Sequence, residues 1–135
     1  MTTTVDNLGF GRVISSVEGL RQHYREPHKL AANKAIDHLD QGCRDFIARA
    51  TMVLIGTADA DGRQDVSPRG GPAGFVRVLD DNRLAIPDLN GNNRLDSLQN
   101  VVATGEIALL FLIPGLGEKL RANGRAVITT EAASK

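Results

Sequence analysis

The stretch Asp65-Val66-Ser67-Pro68-Arg69-Gly70-Gly71 gathers a hydroxyl, a guanidinium and two adjacent glycines where a strand-like run ends. Glycine exposes backbone N–H groups and lets a ligand come close. The planar fork of arginine suits two-point binding of a phosphate. The chemistry such a stretch could do is anion binding; a polar strand end followed by a Gly-rich turn uses the same residues without a ligand. A second stretch, Asn92-Asn93-Arg94, lies where a helix is expected to begin. Helix starts leave N–H groups unsatisfied and carry the positive end of the dipole, and both favour an anion. Arg94 adds a full positive charge that the first helical turn itself disfavours. Asp96 can relieve that conflict locally, and a bound phosphate can relieve it as a ligand. Asp88, between a strand pattern and this loop, either caps the turn or reaches a ligand.

The other reactive side chains are less organised. His23, His28 and His38 lack metal-ligand spacing. Cys43 is the single cysteine, so no internal disulfide can form, and it reads as a small core residue rather than a nucleophile. Ser67 lacks the Gly-x-Ser-x-Gly setting of a hydrolase elbow. No Gly-x-Gly-x-x-Gly follows a strand and no Walker A sequence occurs. With no acid–base constellation, any redox or transfer chemistry is expected to come from a cofactor.

The elements that must position these residues change character along the chain. The first third reads as helical. Ser15-Ser16-Val17-Glu18 offers an N-cap with an acidic first turn, followed by Val17, Leu20 and Tyr24 on one face. Pro27 suits a second helix start, with Leu30, Ala31 and Ile36 ahead. Gly42 precedes a third pattern in which Cys43, Phe46, Ile47 and Ala50 recur at i, i+3, i+4 and i+7. From Met52 the pattern becomes strand-like: Met52 to Ala58, then a turn at Asp59-Ala60-Asp61-Gly62, then a returning strand from Arg63 to Arg69. Gly74 to Leu79 and Arg83 to Pro87 form a second pair around Asp80-Asp81-Asn82. Tight polar turns of this kind imply antiparallel pairing. A helix carrying Leu95, Leu98, Val101 and Val102 is expected to end near Thr104-Gly105. Glu106 to Ile113 reads as a strand, most of it apolar enough to be buried on both faces. Lys119 to Thr129 holds the last strand, where Asn123-Gly124 suggests a bulge or bend. About six short strands with one late helix suggest a small barrel with a mouth for a ligand.

Composition bounds the class. A chain of 135 residues fits one domain, here a helical segment over 1–50 followed by a barrel over 51–130. Sixteen basic residues balance sixteen acidic ones, so no general attraction to nucleic acid or anionic membrane is expected. Aromatic residues make up only 4%, which argues against a stacking platform for single strands. The longest apolar run, Ile107 to Ile113, is too short to span a bilayer, and the N-terminus lacks the order of a signal peptide. The expectation is a cytoplasmic protein.

Read in order, these stretches resemble a known family. Asp65 to Gly70, Gly74 to Asp80, Leu84 to Asp88, Gly91-Asn92-Asn93-Arg94-Leu95-Asp96-Ser97-Leu98, Leu110 to Gly115 and Leu120 to Ala126 are similar to a bacterial branch of the pyridoxamine 5′-phosphate oxidase-like flavoproteins. The similarity runs from about Val13 to Ile128. It implies a mainly β, α+β chain with N-terminal helices and an antiparallel split β-barrel of the FMN-binding type. It also implies a homodimer with FMN in grooves at the dimer interface, acting as an oxidoreductase on a small-molecule substrate. Carried over, the phosphate-binding positions are Ser67, Arg69, Asn93 and Arg94. Val66, Ile86, Pro87 and Asp88 would lie near the ribityl chain or ring. The alternatives that stay open are a deazaflavin in place of FMN, a non-catalytic flavin- or haem-binding stress protein, and a structural dimer without ligand. Oxidation of pyridoxamine phosphate itself would need a second phosphate subsite, for which Arg121 and Arg125 are the candidates if they do not simply face solvent. The pattern is departed from at three places. The chain ends at Lys135, where members continue through further strand and tail. Gly71-Pro72-Ala73 stands where an acidic residue and a second proline are common. Leu89 stands where a basic residue is common.

Overall fold

The computed structural model describes residues 14–23, 37–87 and 96–129. The chain divides into two compact units, 1–37 and 38–135. In the first, α1 (Val17–His23) is capped by Ser16, whose Oγ accepts from the Gly19 N–H at 2.9 Å. It buries none of its residues. The helix expected from Pro27 lies outside the described residues.

The second unit opens with α2 (Gln41–Arg49) and so takes in the last part of the helical first third. Its cap is Asp40, whose carboxylate accepts from the Cys43 N–H at 2.9 Å. That backbone hydrogen bond holds the Asp40 carboxyl below the ordinary carboxylate range. One face of α2, through Phe46, Ile47 and Ala50, packs into the core as its spacing required. The helix is fastened to the neighbouring hairpin turn. Arg44 pairs with the Asp81 carboxylate, and the Leu39 N–H donates to the Asp81 carbonyl at 2.7 Å.

Among the described residues six strands follow, in two antiparallel sheets: β1 (Met52–Ala58), β2 (Gln64–Gly70), β5 (Glu106–Leu112) and β6 (Lys119–Arg125) in the order β2-β1-β5-β6, and a short hairpin of β3 (Arg77–Val78) and β4 (Leu84–Ala85). The antiparallel α+β class expected of the sequence is thus present. Among the described residues the larger sheet does not close: β2 and β6 are its two edges. The turn between β1 and β2 is built as expected. Gly62 takes φ +86°, and the Asp59 carboxylate accepts from the N–H groups of Asp61 and Arg63. The helix before β5, α3 (Asp96–Thr104), ends on Gly105 at φ +71°, whose N–H returns to the Val101 carbonyl at 2.8 Å.

Strand alternation sorts the sheet into two unlike faces. One carries Val53 and Ile55 of β1, Leu109 and Phe111 of β5, and Leu120 and Ala122 of β6. These join Ile47, Phe75 and Val76 in the core. The other carries Met52, Leu54, Gly56, Val66, Ala108, Leu110 and Leu112, none of them fully buried. This corrects the expectation that Glu106 to Ile113 is buried on both faces. Its burial alternates, because among the described residues only one side of the sheet faces the core. Of the bulge or bend expected at Asn123-Gly124, the bulge is absent: pairing runs in unbroken register from Glu106↔Arg125 to Leu112↔Lys119. An exposed edge strand tolerates that glycine without interrupting the ladder. The hairpin strands are shorter than expected, since the Gly71-to-Phe75 segment turns instead of extending. The Phe75 N–H bonds the Pro72 carbonyl at 2.9 Å, and a Cβ on Gly71 would meet the Phe75 ring at 2.8 Å.

Phe111 is 0% exposed at the centre of the covered face. Phe111→Ala is expected to destabilise the protein by about 3–5 kcal/mol. The measurement is urea unfolding, with a lower midpoint at an unchanged slope.

Candidate anion-binding corner of strand β2 and helix α3

Strand β2 puts alternate side chains on the covered face, and they are polar. Asp65, Ser67 and Arg69 stand there opposite Thr57, Ile55 and Val53 of β1. Arg69 is only 9% exposed. Its guanidinium folds back along the strand and donates through Nη1 to Ser67 Oγ at 3.0 Å and to the Pro68 carbonyl at 3.1 Å.

Helix α3 meets this strip with a polar stripe of its own. Ser97, in the first turn and 4% exposed, sits 2.9 Å from Ser67 Oγ and donates to Asp65 Oδ2 at 2.9 Å. One turn on, Asn100 Nδ2 donates to Thr57 Oγ1 at 3.0 Å. Arg69, Ser67, Ser97 and Asp65 therefore form one hydrogen-bonded chain with a cation at one end and a carboxylate at the other. No buried side-chain polar atom among the described residues lacks a partner. A network closed in this way fixes the strand edge and the helix start against each other.

The corner brings together a guanidinium, the serine that accepts from it and the first turn of a helix, a setting that suits a phosphate group. Of the residues expected to hold that phosphate, Ser67 and Arg69 are hydrogen-bonded neighbours here. Asn93 and Arg94 lie outside the described residues, as does Asp88. Val66 projects from the opposite face of β2 and is 68% exposed. It borders a shallow groove of about 540 Å³ shared with Gly56, Ala58, Gln64, Asp65 and Glu106. Ile86 packs against the core on the covered face, and Pro87 is exposed. Arg121 and Arg125 are exposed on β6.

Ser97 is not among the residues the periodicity assigns to the buried face of α3, which are Leu95, Leu98, Val101 and Val102. Leu95 lies outside the described residues, and Val102 is 76% exposed while Ser97 and Val101 are buried. A signal was available: Ser97, Asn100, Val101 and Thr104 recur at i, i+3, i+4 and i+7, a polar-leaning stripe that matches the alternate polar residues of β2. Cys43 stays outside the corner. Burial, and next the Asp40 side chain, push its thiol above the ordinary range, which disfavours a nucleophilic thiolate. Among the described residues no three His, Cys, Asp or Glu side chains gather as a metal site, and no helix is long and apolar enough to cross a membrane.

A family model described as pyridoxamine 5′-phosphate oxidase matches residues 39–135. The chain belongs to that family. The match begins just before α2, so the pyridoxamine 5′-phosphate oxidase module coincides closely with the second compact unit. Two solved structures of Group A Streptococcus HupZ, both carrying V5 and polyhistidine tags, superpose with a TM-score of 0.52 at 25% identity. Each alignment covers 70% of this chain. It covers 69% of one HupZ chain and 74% of the other, a histidine-to-alanine variant. No curated protein gives a match. This member of the pyridoxamine 5′-phosphate oxidase family thus has an α+β split-barrel fold with an open sheet.

Ser97→Ala is expected to destabilise the protein by about 1–3 kcal/mol, because Asp65 and Ser67 lose their shared partner at a largely buried position. Ser97→Thr, which keeps the hydroxyl, is expected to recover most of that loss. Chemical denaturation of both variants checks this.

Proposed function

We propose that the chain binds FMN as a homodimer and serves as an FMN-dependent oxidoreductase acting on a small-molecule substrate. The observation that carries this reading is the meeting of β2 with the first turn of α3, through the contact of Ser67 with Ser97 at 2.9 Å beside the Arg69 guanidinium. Phosphate recognition by a strand-borne arginine and hydroxyl at a helix start requires that convergence. Asn93 and Arg94, just ahead of α3 in sequence, are assigned to the same phosphate.

FMN, when bound, supplies hydride or single-electron transfer at its ring. The protein's part is to hold it. Arg69 provides charge-assisted hydrogen bonds to the phosphate. The groove beside Val66 offers a partly apolar wall for the ring or ribityl chain. Val66 is exposed on the open face and Ile86 packs against the core on the covered face, which supports a site shared between two copies. Val66 from one and Ile86, Pro87 and Asp88 from the other would then flank the ring. The uncovered face bearing Met52, Leu54, Val66 and Leu110 is apolar enough to form the contact between copies.

The purified protein is expected to carry the visible absorption of a flavin, or to acquire it with added FMN. FMN at about a hundredfold over its Kd should add ~2.7 kcal/mol of stability, read as a rise in Tm. A protein that stays colourless and melts at the same temperature with and without FMN would overturn the reading. A haem spectrum in place of a flavin one would favour the non-catalytic haem-binding alternative, and a bound deazaflavin would move the assignment to that cofactor. Sedimentation is expected to give twice the mass of one chain, and Val66→Asp to shift the protein toward monomer. A wild-type monomer that still binds FMN would separate the cofactor from the dimer.

A further inference from the structure

The hydrogen-bonded chain at the corner has a direction. A serine hydroxyl carries one proton and two lone pairs, whereas a carboxylate only accepts. The single proton of Ser97 goes to Asp65 Oδ2 at 2.9 Å. The 2.9 Å contact between Ser97 Oγ and Ser67 Oγ must then be donated by Ser67. Ser67 in turn accepts from Arg69 Nη1 at 3.0 Å. With Asp65 as a carboxylate, every proton along the chain points toward it. Ser67 has none left to offer an anion.

We propose that Asp65 and Ser97 are positioning residues that fix Ser67 as an acceptor, so that donation to an anionic ligand from β2 falls to Arg69. The carboxylate thereby limits how tightly this corner grips a phosphate, both by its own charge and by the direction it imposes. This rests on the reading that the corner holds the phosphate of FMN. It assigns Ser67 a role different from the one carried over by family resemblance: Ser67 aligns Arg69 and does not donate to the phosphate. The direction is reversible by chemistry. The amide introduced by Asp65→Asn can donate to Ser97, Ser97 can then donate to Ser67, and the Ser67 proton is turned toward the ligand. No further covalent bond changes; the two hydroxyl protons are redirected and the new amide supplies the third.

The test compares FMN with riboflavin, which lacks only the phosphate. Dissociation constants follow from flavin fluorescence, with circular dichroism confirming that each variant is folded. The ratio of the riboflavin to the FMN constant isolates the phosphate grip, and a general loss of structure would weaken both flavins together. Arg69→Gln is expected to lower the ratio by about tenfold or more, the loss of a charged donor. Ser67→Ala is expected to change it by less than about twofold, since an acceptor contributes little to holding an anion. Asp65→Asn is expected to raise it by about tenfold, and adding Ser67→Ala to that variant should remove part of the gain. Ser97→Ala, which also frees the Ser67 proton, should raise the ratio if Asp65→Asn does not fold. The proposal is overturned if Ser67→Ala alone lowers the ratio as far as Arg69→Gln does, or if the gain from Asp65→Asn survives Ser67→Ala undiminished. A wild-type protein that binds both flavins equally also overturns it, while leaving flavin binding in place. A wild-type protein that binds neither removes the FMN reading and this proposal together.

Discussion

The corner depends on the contact between a strand edge and a helix start, made through two serine hydroxyls 2.9 Å apart. Strand β2 is an edge strand, and an edge has little to hold it beyond its one neighbour. Its covered face is polar where those of β1 and β5 are apolar, so it cannot be held by hydrophobic packing. Helix α3 solves both problems by presenting Ser97 and Asn100 to that face. The hydroxyl and amide groups satisfy Asp65, Ser67 and Thr57, and no buried side-chain polar atom is left without a partner among the described residues. Removing any member of such a chain exposes the desolvation cost of the others, which is why the serines and the carboxylate act as a unit.

The apolar half of the unit supports this arrangement from behind. Phe111, Val53 and Ile47 fill the covered face of the sheet, with α2 and the β3–β4 hairpin above them. Asp40 caps α2, and Arg44 with Asp81 ties that helix to the hairpin turn. The strands that carry polar residues at one end are therefore anchored by a close-packed core at the other. The sheet remains open, and its second face keeps apolar residues in water. A monomer of this size rarely leaves a broad apolar sheet face uncovered, and a second copy is the proposed cover.

Much of the fold was legible in the sequence because it rests on short-range rules. The Ser16 and Gly105 ends of helices, the Asp59-to-Gly62 turn and the limits of β1 all follow from local chemistry that an isolated segment already expresses. The errors arose where long-range packing decides. Whether Leu110 is buried depends on what covers the second face of the sheet. Asn123-Gly124 stayed in register because β6 is, among the described residues, an edge strand, where a glycine need not interrupt the ladder. The hairpin strands were cut short for a different, local reason: the chain turns between Pro72 and Phe75, and Phe75 folds down over Gly71.

For this protein, residue order alone determined the element types, the antiparallel pairing and the membership of Ser67 and Arg69 in one polar strip, because strand periodicity places i and i+2 on the same side. It did not fix Ser97 as their partner, since the stripe of Ser97, Asn100 and Thr104 tells which residues share a helix face but not what that face will meet. Tertiary structure decided that, by laying α3 across β2. It also decided the sense of the hydrogen bonds, because the proton order of two hydroxyls depends on the charge of the group at the end of the chain, and Asp65 reaches Ser97 across 32 positions of sequence.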